Sequence, residues 1–210
     1  MTAPIDLDTA IDTAIDTAID TATVDRLFRD GRTAYAFTDE PVSDGDIERI
    51  ANLMAHPPTA MNTQPLRVVL VRSDAAKARL LPLLNEGNRA KSDSAPVVAI
   101  LAADLDFHDE LPRLVPHVPD ARDRFTDEAA REQAARFNAT LQAGYFILAV
   151  RAAGLDAGPM GGFDRAGVDR EFFPDGRHRS LMVVNIGHVA DEGTYPRSPR
   201  LAADEVFSQL

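Results

Sequence analysis

Gly158-Pro159-Met160-Gly161-Gly162-Phe163-Asp164 follows the apolar run Tyr145-Phe146-Ile147-Leu148-Ala149-Val150 and the segment Ala153-Gly154-Leu155-Asp156. This order predicts a long buried helix that runs into a short Gly- and Pro-rich turn, because helices commonly end on glycine. Asp164 is placed to cap the next helix, its carboxylate accepting the orphan amides of that first turn. Glycines at such a turn let backbone N–H groups approach a flat ligand without side-chain interference. The same residues also suit a plain helix stop followed by a tight turn. Other segments have to decide.

Phe137, Leu141, Ala143, Gly144, Ile147, Leu148 and Arg151 belong to the longest helix, apolar on most faces and therefore expected to be buried. Upstream, Ser43-Asp44-Gly45-Asp46 resembles a capping box with Asp in place of Glu. Ile47, Ile50, Leu53 and Met54 follow at helical spacing up to Pro57 and Pro58. Asp74 is expected to cap a helix carrying Leu80, Leu81 and Leu84. Three strands are expected: Arg67 to Arg72 around Val68–Val71, Pro96 to Ala103 around Val97–Leu101, and Ser180 to Val189. The stretch Asp104 to Glu132 is polar and proline-containing, but Phe107, Leu111, Leu114 and Phe125 suggest packed helical pieces. Strands alternating with helices make the class α/β or α+β.

A length of 210 residues supports one domain with a substantial core, or two small ones. Net charge is 22 − 33 = −11, with no basic stripe, which argues against a nucleic-acid partner. Cysteine is absent, so disulfides, Cys-ligated zinc and thiol catalysis are excluded; this fits a reducing, cytoplasmic setting. No apolar run approaches the roughly 20 residues that span a bilayer, and the N-terminus is not expected to be a secretory signal. Ile11-Asp12-Thr13-Ala14 and its two following repeats put like charges at a spacing that destabilises a helix. Residues 1–23 are therefore expected to be a low-complexity tail, disordered or weakly helical, without function. The folded part starts near Val24, with Leu27 and Phe28 in a short helix that Gly31 ends.

Familiar catalytic motifs are missing. No Gly-x-Gly-x-x-Gly follows a strand, and there is neither a P-loop nor a Gly-x-Ser-x-Gly elbow. His56, His108, His117, His178 and His188 show no metal-ligand spacing, so metal catalysis is not expected. What remains is an ordered set of segments. Pro58-Thr59-Ala60-Met61-Asn62-Thr63-Gln64-Pro65 precedes the first strand, and Asn88 and Lys91 precede the second. Asn185-Ile186-Gly187-His188 closes the third, and Arg197-Ser198-Pro199-Arg200-Leu201 forms a basic tail.

With the Gly158–Asp164 stretch, this set resembles the FMN-dependent nitroreductase superfamily over roughly residues 24–210. Within it the chain looks closest to the malonic semialdehyde reductase group of pyrimidine catabolism. That match rests on Gly31-Arg32-Thr33, Glu40-Pro41-Val42-Ser43-Asp44, Leu111-Pro112, Pro116-His117, Leu155-Asp156, Gly158-Pro159-Met160 and Gly162-Phe163-Asp164. The resemblance implies one α+β domain over 24–210, a mixed sheet flanked by helices, in an intertwined homodimer whose C-terminal strand joins the neighbour's sheet. It also implies FMN as cofactor, NADH or NADPH as co-substrate, and a ping-pong transfer of hydride to an aldehyde, quinone or nitro acceptor. The alternatives are a broad nitro- or quinone reductase and a flavin-binding protein that does not turn over.

The implied site follows residue by residue. Arg32, Thr33 and Arg200 match positions that hold the FMN phosphate, and arginine's planar fork suits that group. Gly31 and Tyr35 stand where basic residues are common. Asn88 and Lys91 match a pair on the pyrimidine edge, where Lys91 can stabilise charge that builds on reduction. Pro58, Thr59 and Asn62 match a loop laid on the ring by the neighbouring subunit. Pro159, Met160, Gly161 and Gly162 match the turn on the opposite face, with Gly161 replacing a Glu found in other nitroreductases. No conventional catalytic acid is evident. Arg113, Arg122 and His117 are the candidates to hold a substrate carboxylate.

Overall fold

The computed structural model describes residues 19–210. Most of the Thr-Ala-Ile-Asp repeat, and so most of the tail expected over 1–23, lies outside the described residues. These residues form two compact units that divide the stretch read from sequence as one domain: Thr33–Thr194, and the segments up to Arg32 and from Tyr195 onward.

The larger unit is built on a four-stranded sheet with β1 (Leu66–Val71), β2 (Val97–Asp104), β3 (Asp156–Met160) and β4 (His178–Gly187). The strand order is β1-β2-β4-β3, and every pair is antiparallel. The mixed sheet that the resemblance implies is not what the described residues form: among them every strand pair is antiparallel. β2 lies in the middle and is buried along its whole length. Alternation then sorts its side chains by face. Val97, Ala99, Leu101 and Ala103 join one core, and Val98, Ile100 and Ala102 the other.

Helices cover both faces: α1 (Asp44–Met54), α2 (Asp74–Leu80), α3 (Glu86–Ser94), α4 (Glu128–Ala152) and α5 (Arg165–Phe172). Ile50 of α1 and Ala135, Ala139, Ala143, Phe146 and Val150 of α4 fill the first core. The alanines, four apart, let α4 lie close to the sheet. Leu80 of α2 and Val168 of α5 fill the second, with Leu84 and Phe163 from the connecting segments.

The capping box of α1 forms as expected, Ser43 and Asp46 exchanging hydrogen bonds. Asp164 caps α5, accepting from the amide of Gly167 at 3.0 Å. For α2 the cap is Ser73, not Asp74, which occupies the first helical position. The larger correction concerns the opening stretch. Gly158, Pro159 and Met160 are not turn residues but the end of β3, pairing with Asn185, Val184 and Val183. Proline is tolerated because β3 is an edge strand. Residues 104–132 are packed helical pieces: Phe107 and Leu111 are fully buried. α4 is the longest helix, as expected, but it already begins at Glu128, and its burial is one-sided. Phe137, Leu141 and Tyr145 stay exposed, Phe137 to 72%.

In the smaller unit, Asp20 caps a single helical turn, Thr21–Val24, which widens into a π turn over Asp25–Arg29. It ends at Asp30, one residue before the expected Gly31. The C-terminal segment carries one helical turn, Ala203–Val206.

Candidate functional site

Residues 158–164 are fixed by their surroundings to different degrees. A Cβ on Gly158 would lie 2.5 Å from the carbonyl oxygen of Ala34, so only glycine lets that backbone pass. The Gly162 carbonyl accepts from the backbone N–H of Asn85 at 3.1 Å and from Asn88 Nδ2 at 2.7 Å. Asp164 donates its N–H to the carbonyl of Leu83 at 2.8 Å. The α2–α3 connection is thus zipped onto Gly162–Asp164, and Asn88 is one of the teeth. Gly161 differs: it is exposed, and the nearest atom to a Cβ there is Arg165 Nη2 at 3.9 Å.

Lys91 stands in the last turn of α3. Its Nζ lies 4.9 Å above the centre of the Tyr35 ring, and among the described residues no carboxylate pairs with it. Burial holds its pKa below the ordinary lysine value. A desolvated cation without a counter-charge costs stability that a bound anion would relieve. Behind it, the Lys91 carbonyl accepts from Nδ2 of the fully buried Asn185 at 3.1 Å, while Asn185 Oδ1 has no partner among the described residues. Met160 is buried against Ser92.

The Pro58–Pro65 loop is pinned at two points by amides four apart on α4. Buried Asn138 accepts from the Ala60 N–H at 2.8 Å, and buried Gln142 from the Leu66 N–H at 3.0 Å. Between them Met61, Asn62 and Gln64 hold positive φ of 51°, 52° and 41°. Such strain persists only where surroundings over-determine it, and it clusters at ligand sites. Thr59 Oγ1 accepts from the Gln64 N–H at 3.1 Å, and Asn62 donates to the Leu114 carbonyl at 3.1 Å. Pro58 is exposed.

In the smaller unit three arginines gather. Arg32 donates to the carbonyls of Arg29 and Gly31 at 2.8 and 3.1 Å. Arg197 donates to those of Phe28, Arg29 and Gly31. Arg200 donates to those of Ser198 and Pro199 at 2.9 and 3.2 Å. Desolvation and then the charges of Arg32 and Arg200 lower the pKa of Arg197. Guanidinium groups held by carbonyls and repelling one another have the chemistry that suits an anion. Arg197 is absent from the sequence-derived site; only its place in the basic tail hinted at it. Thr33, half-buried, opens the larger unit.

The candidates for a substrate carboxylate fare differently. Arg113 is paired with Glu110 at 2.9 Å and Arg122 with Asp109 at 2.9 Å, while His117 is exposed. Arg165, which sequence reasoning did not single out, has no acidic partner among the described residues. Among the described residues no three His, Asp or Glu side chains gather to hold a metal ion, and no helix is long and apolar enough to cross a membrane.

The profile described as "Nitroreductase family" matches residues 29–188, most of the chain. This chain belongs to the nitroreductase family. A Streptomyces griseus protein provisionally named NADH dehydrogenase/NAD(P)H nitroreductase is 56% identical over 190 residues, covering 90% of this chain and 96% of the relative. A Streptomyces coelicolor protein of the same provisional name is 55% identical over 190 residues, with the same coverage. Among solved structures, a nitroreductase-like protein from Exiguobacterium sibiricum, crystallised with FMN, superposes with a TM-score of 0.77 at 21% identity. The match spans 88% of this chain and 96% of that one, a likeness of fold.

Proposed function

We propose that this FMN-dependent NAD(P)H oxidoreductase of the nitroreductase family works as a cytoplasmic homodimer and reduces a small carboxylated aldehyde. Malonic semialdehyde, giving 3-hydroxypropionate, is the favoured substrate. The observation that carries the flavin site is Lys91: a half-buried cation without a carboxylate, one helical turn from an asparagine that fastens the Gly162 turn.

Bound FMN supplies two-electron hydride acceptance from NAD(P)H and donation to the acceptor. The remaining work falls to the chain. Arg32 and Arg200, with Arg197 beside them and Thr33, hold the phosphate. Asn88 and Lys91 hold the pyrimidine edge, and Lys91 offsets the negative charge that grows there on reduction. The strained loop with Pro58, Thr59 and Asn62 and the segment Pro159–Gly162 exclude water from the ring. The exposed Phe137, Leu141 and Tyr145 of α4 suit burial against a second copy. A broad nitro- or quinone reductase is the second reading, favoured by the open space at Gly161 and by the names of the relatives.

The purified full-length chain should be yellow and release FMN on heat denaturation. Anaerobic NADH or NADPH should bleach it, and an aldehyde, quinone or nitro acceptor should restore the colour. No flavin after reconstitution with excess FMN would overturn the reading. Bound FMN that no reduced nicotinamide can bleach would make the chain a flavin-binding protein only.

A further inference from the structure

Eleven arginines of the described residues pair with a carboxylate within 4.0 Å, among them every arginine of the segment 104–132. Arg165 does not. It opens α5, three residues after Gly162. Its Nη1 donates to two carbonyls of β4, Ser180 at 2.9 Å and Leu181 at 2.7 Å. Its guanidinium lies 5.0 Å from the centre of the Phe163 ring. Two carbonyls and a ring fix the plane of the fork while neutralising none of its charge. Nη2 is left over, and it is the nearest atom to the vacant side-chain position of Gly161. In a chain of net charge −11 a cation held rigid, exposed and unpaired is set for an anion from outside.

We propose that Arg165 is a specificity-determining residue that receives the carboxylate of an anionic acceptor brought to the Pro159–Gly162 segment. This rests on the flavin reading above, which sets that segment beside the ring. Gly161 is the complement of Arg165: a side chain there would fill the space through which a carboxylate reaches Nη2. Arg113 and Arg122, whose charge is already spent on Glu110 and Asp109, do not serve this purpose.

The shared chemistry, an oxyanion on a guanidinium, could also come from a phosphate of NAD(P)H. Matched aldehydes separate the two sources: 4-formylbenzoate against the neutral 4-formylbenzamide, with reduction by NADH and by NADPH measured as a separate half-reaction. Relative to the wild type, Arg165→Gln should lower the ratio of kcat/KM for the acid over the amide about tenfold, the scale of one charge-assisted hydrogen bond. Arg165→Lys should restore part of it. Calorimetric binding of benzoate, with benzamide as control, should weaken by a similar factor in Arg165→Gln. An unchanged ratio, or equal losses for both aldehydes, would reduce Arg165 to a tie between α5 and β4. A loss confined to reduction by NADPH would assign the anion to the nicotinamide dinucleotide and overturn the acceptor reading. If the wild type holds no flavin, the functional reading fails on its own, and the benzoate arm still decides whether Arg165 takes a carboxylate.

Discussion

Arg113 and Arg122, between β2 and α4, and Arg131, near the start of α4, each face an acid: Glu110 at 2.9 Å, Asp109 at 2.9 Å and Asp106 at 3.9 Å. Lys91 and Arg165, on the helices that flank residues 158–164, each face an aromatic ring instead. Both groups are cations within one acidic chain, yet they do opposite things. The paired ones tie short helical turns to one another and to α4. The unpaired ones carry charge that the fold leaves uncompensated and so open to an anion from outside.

The largest effect should come from breaking the paired region at its centre. Asp104, buried at the end of β2, meets Arg67 at 2.8 Å and Arg177 at 2.7 Å. Burial pushes its carboxyl up, but hydrogen bonds from Arg177 and the charge of Arg67 outweigh it and hold the group below its ordinary 3.8. The folded state therefore binds the proton less tightly than the unfolded chain. The stabilisation is complete above that ordinary value and is lost as pH falls through the folded one. Asp104→Asn should cost about 3 kcal/mol in urea unfolding at pH 7, the scale for breaking a buried pair, and should flatten the acid limb of the stability profile. A neutral Asp104→Asn would mean that pairing does not hold this region.

A second test compares two glycines of the same stretch. Gly158→Ala drives a Cβ into the Ala34 backbone and should cost about 2 kcal/mol, as overpacking does. Gly161→Ala meets open space and should stay within about 0.5 kcal/mol in thermal melts. Equal losses would erase the distinction between a packed Gly158 and an open Gly161. Smaller again, Arg122→Ala breaks an exposed pair and should cost under about 1 kcal/mol. It should leave the preference for acidic over neutral acceptors untouched; a lost preference would return Arg122 to the site and weaken the contrast with Arg165.

The fold was legible where one physical rule dominates. Ser43 and Asp46 announced their capping box, the apolar residues from Phe137 to Arg151 the later part of α4, and apolar runs the strands β1, β2 and β4. β3 was not legible, because Gly158 and Pro159 are poor strand formers whose pairing is imposed by β4 and by the Ala34 backbone. The exposed side of α4 was hidden too, since a helix apolar on most faces reads the same whether its second face meets its own sheet or another chain. In the candidate site, it was the family resemblance that pointed to Asn88 and Lys91. Pairing was invisible: nothing in the sequence says that Arg122 meets Asp109, thirteen residues away, while Arg165 meets carbonyls of β4. Charge compensation is a property of three-dimensional neighbours, and for that reason the anion-holding candidates moved.

Lys91→Ala should change folding stability least of all, because burial already disfavours the charged side chain. Its effect belongs to the flavin. The most direct measurement is the midpoint potential of bound FMN in the wild type and in Lys91→Ala, by anaerobic titration against a redox dye. Losing a partly buried cation beside a developing anion is worth about 1–3 kcal/mol, which for a two-electron couple is roughly 20–60 mV. The variant should stay yellow with a potential lower by that amount. An unchanged potential in a still-yellow Lys91→Ala protein would contradict the assignment of this unpaired cation to the cofactor.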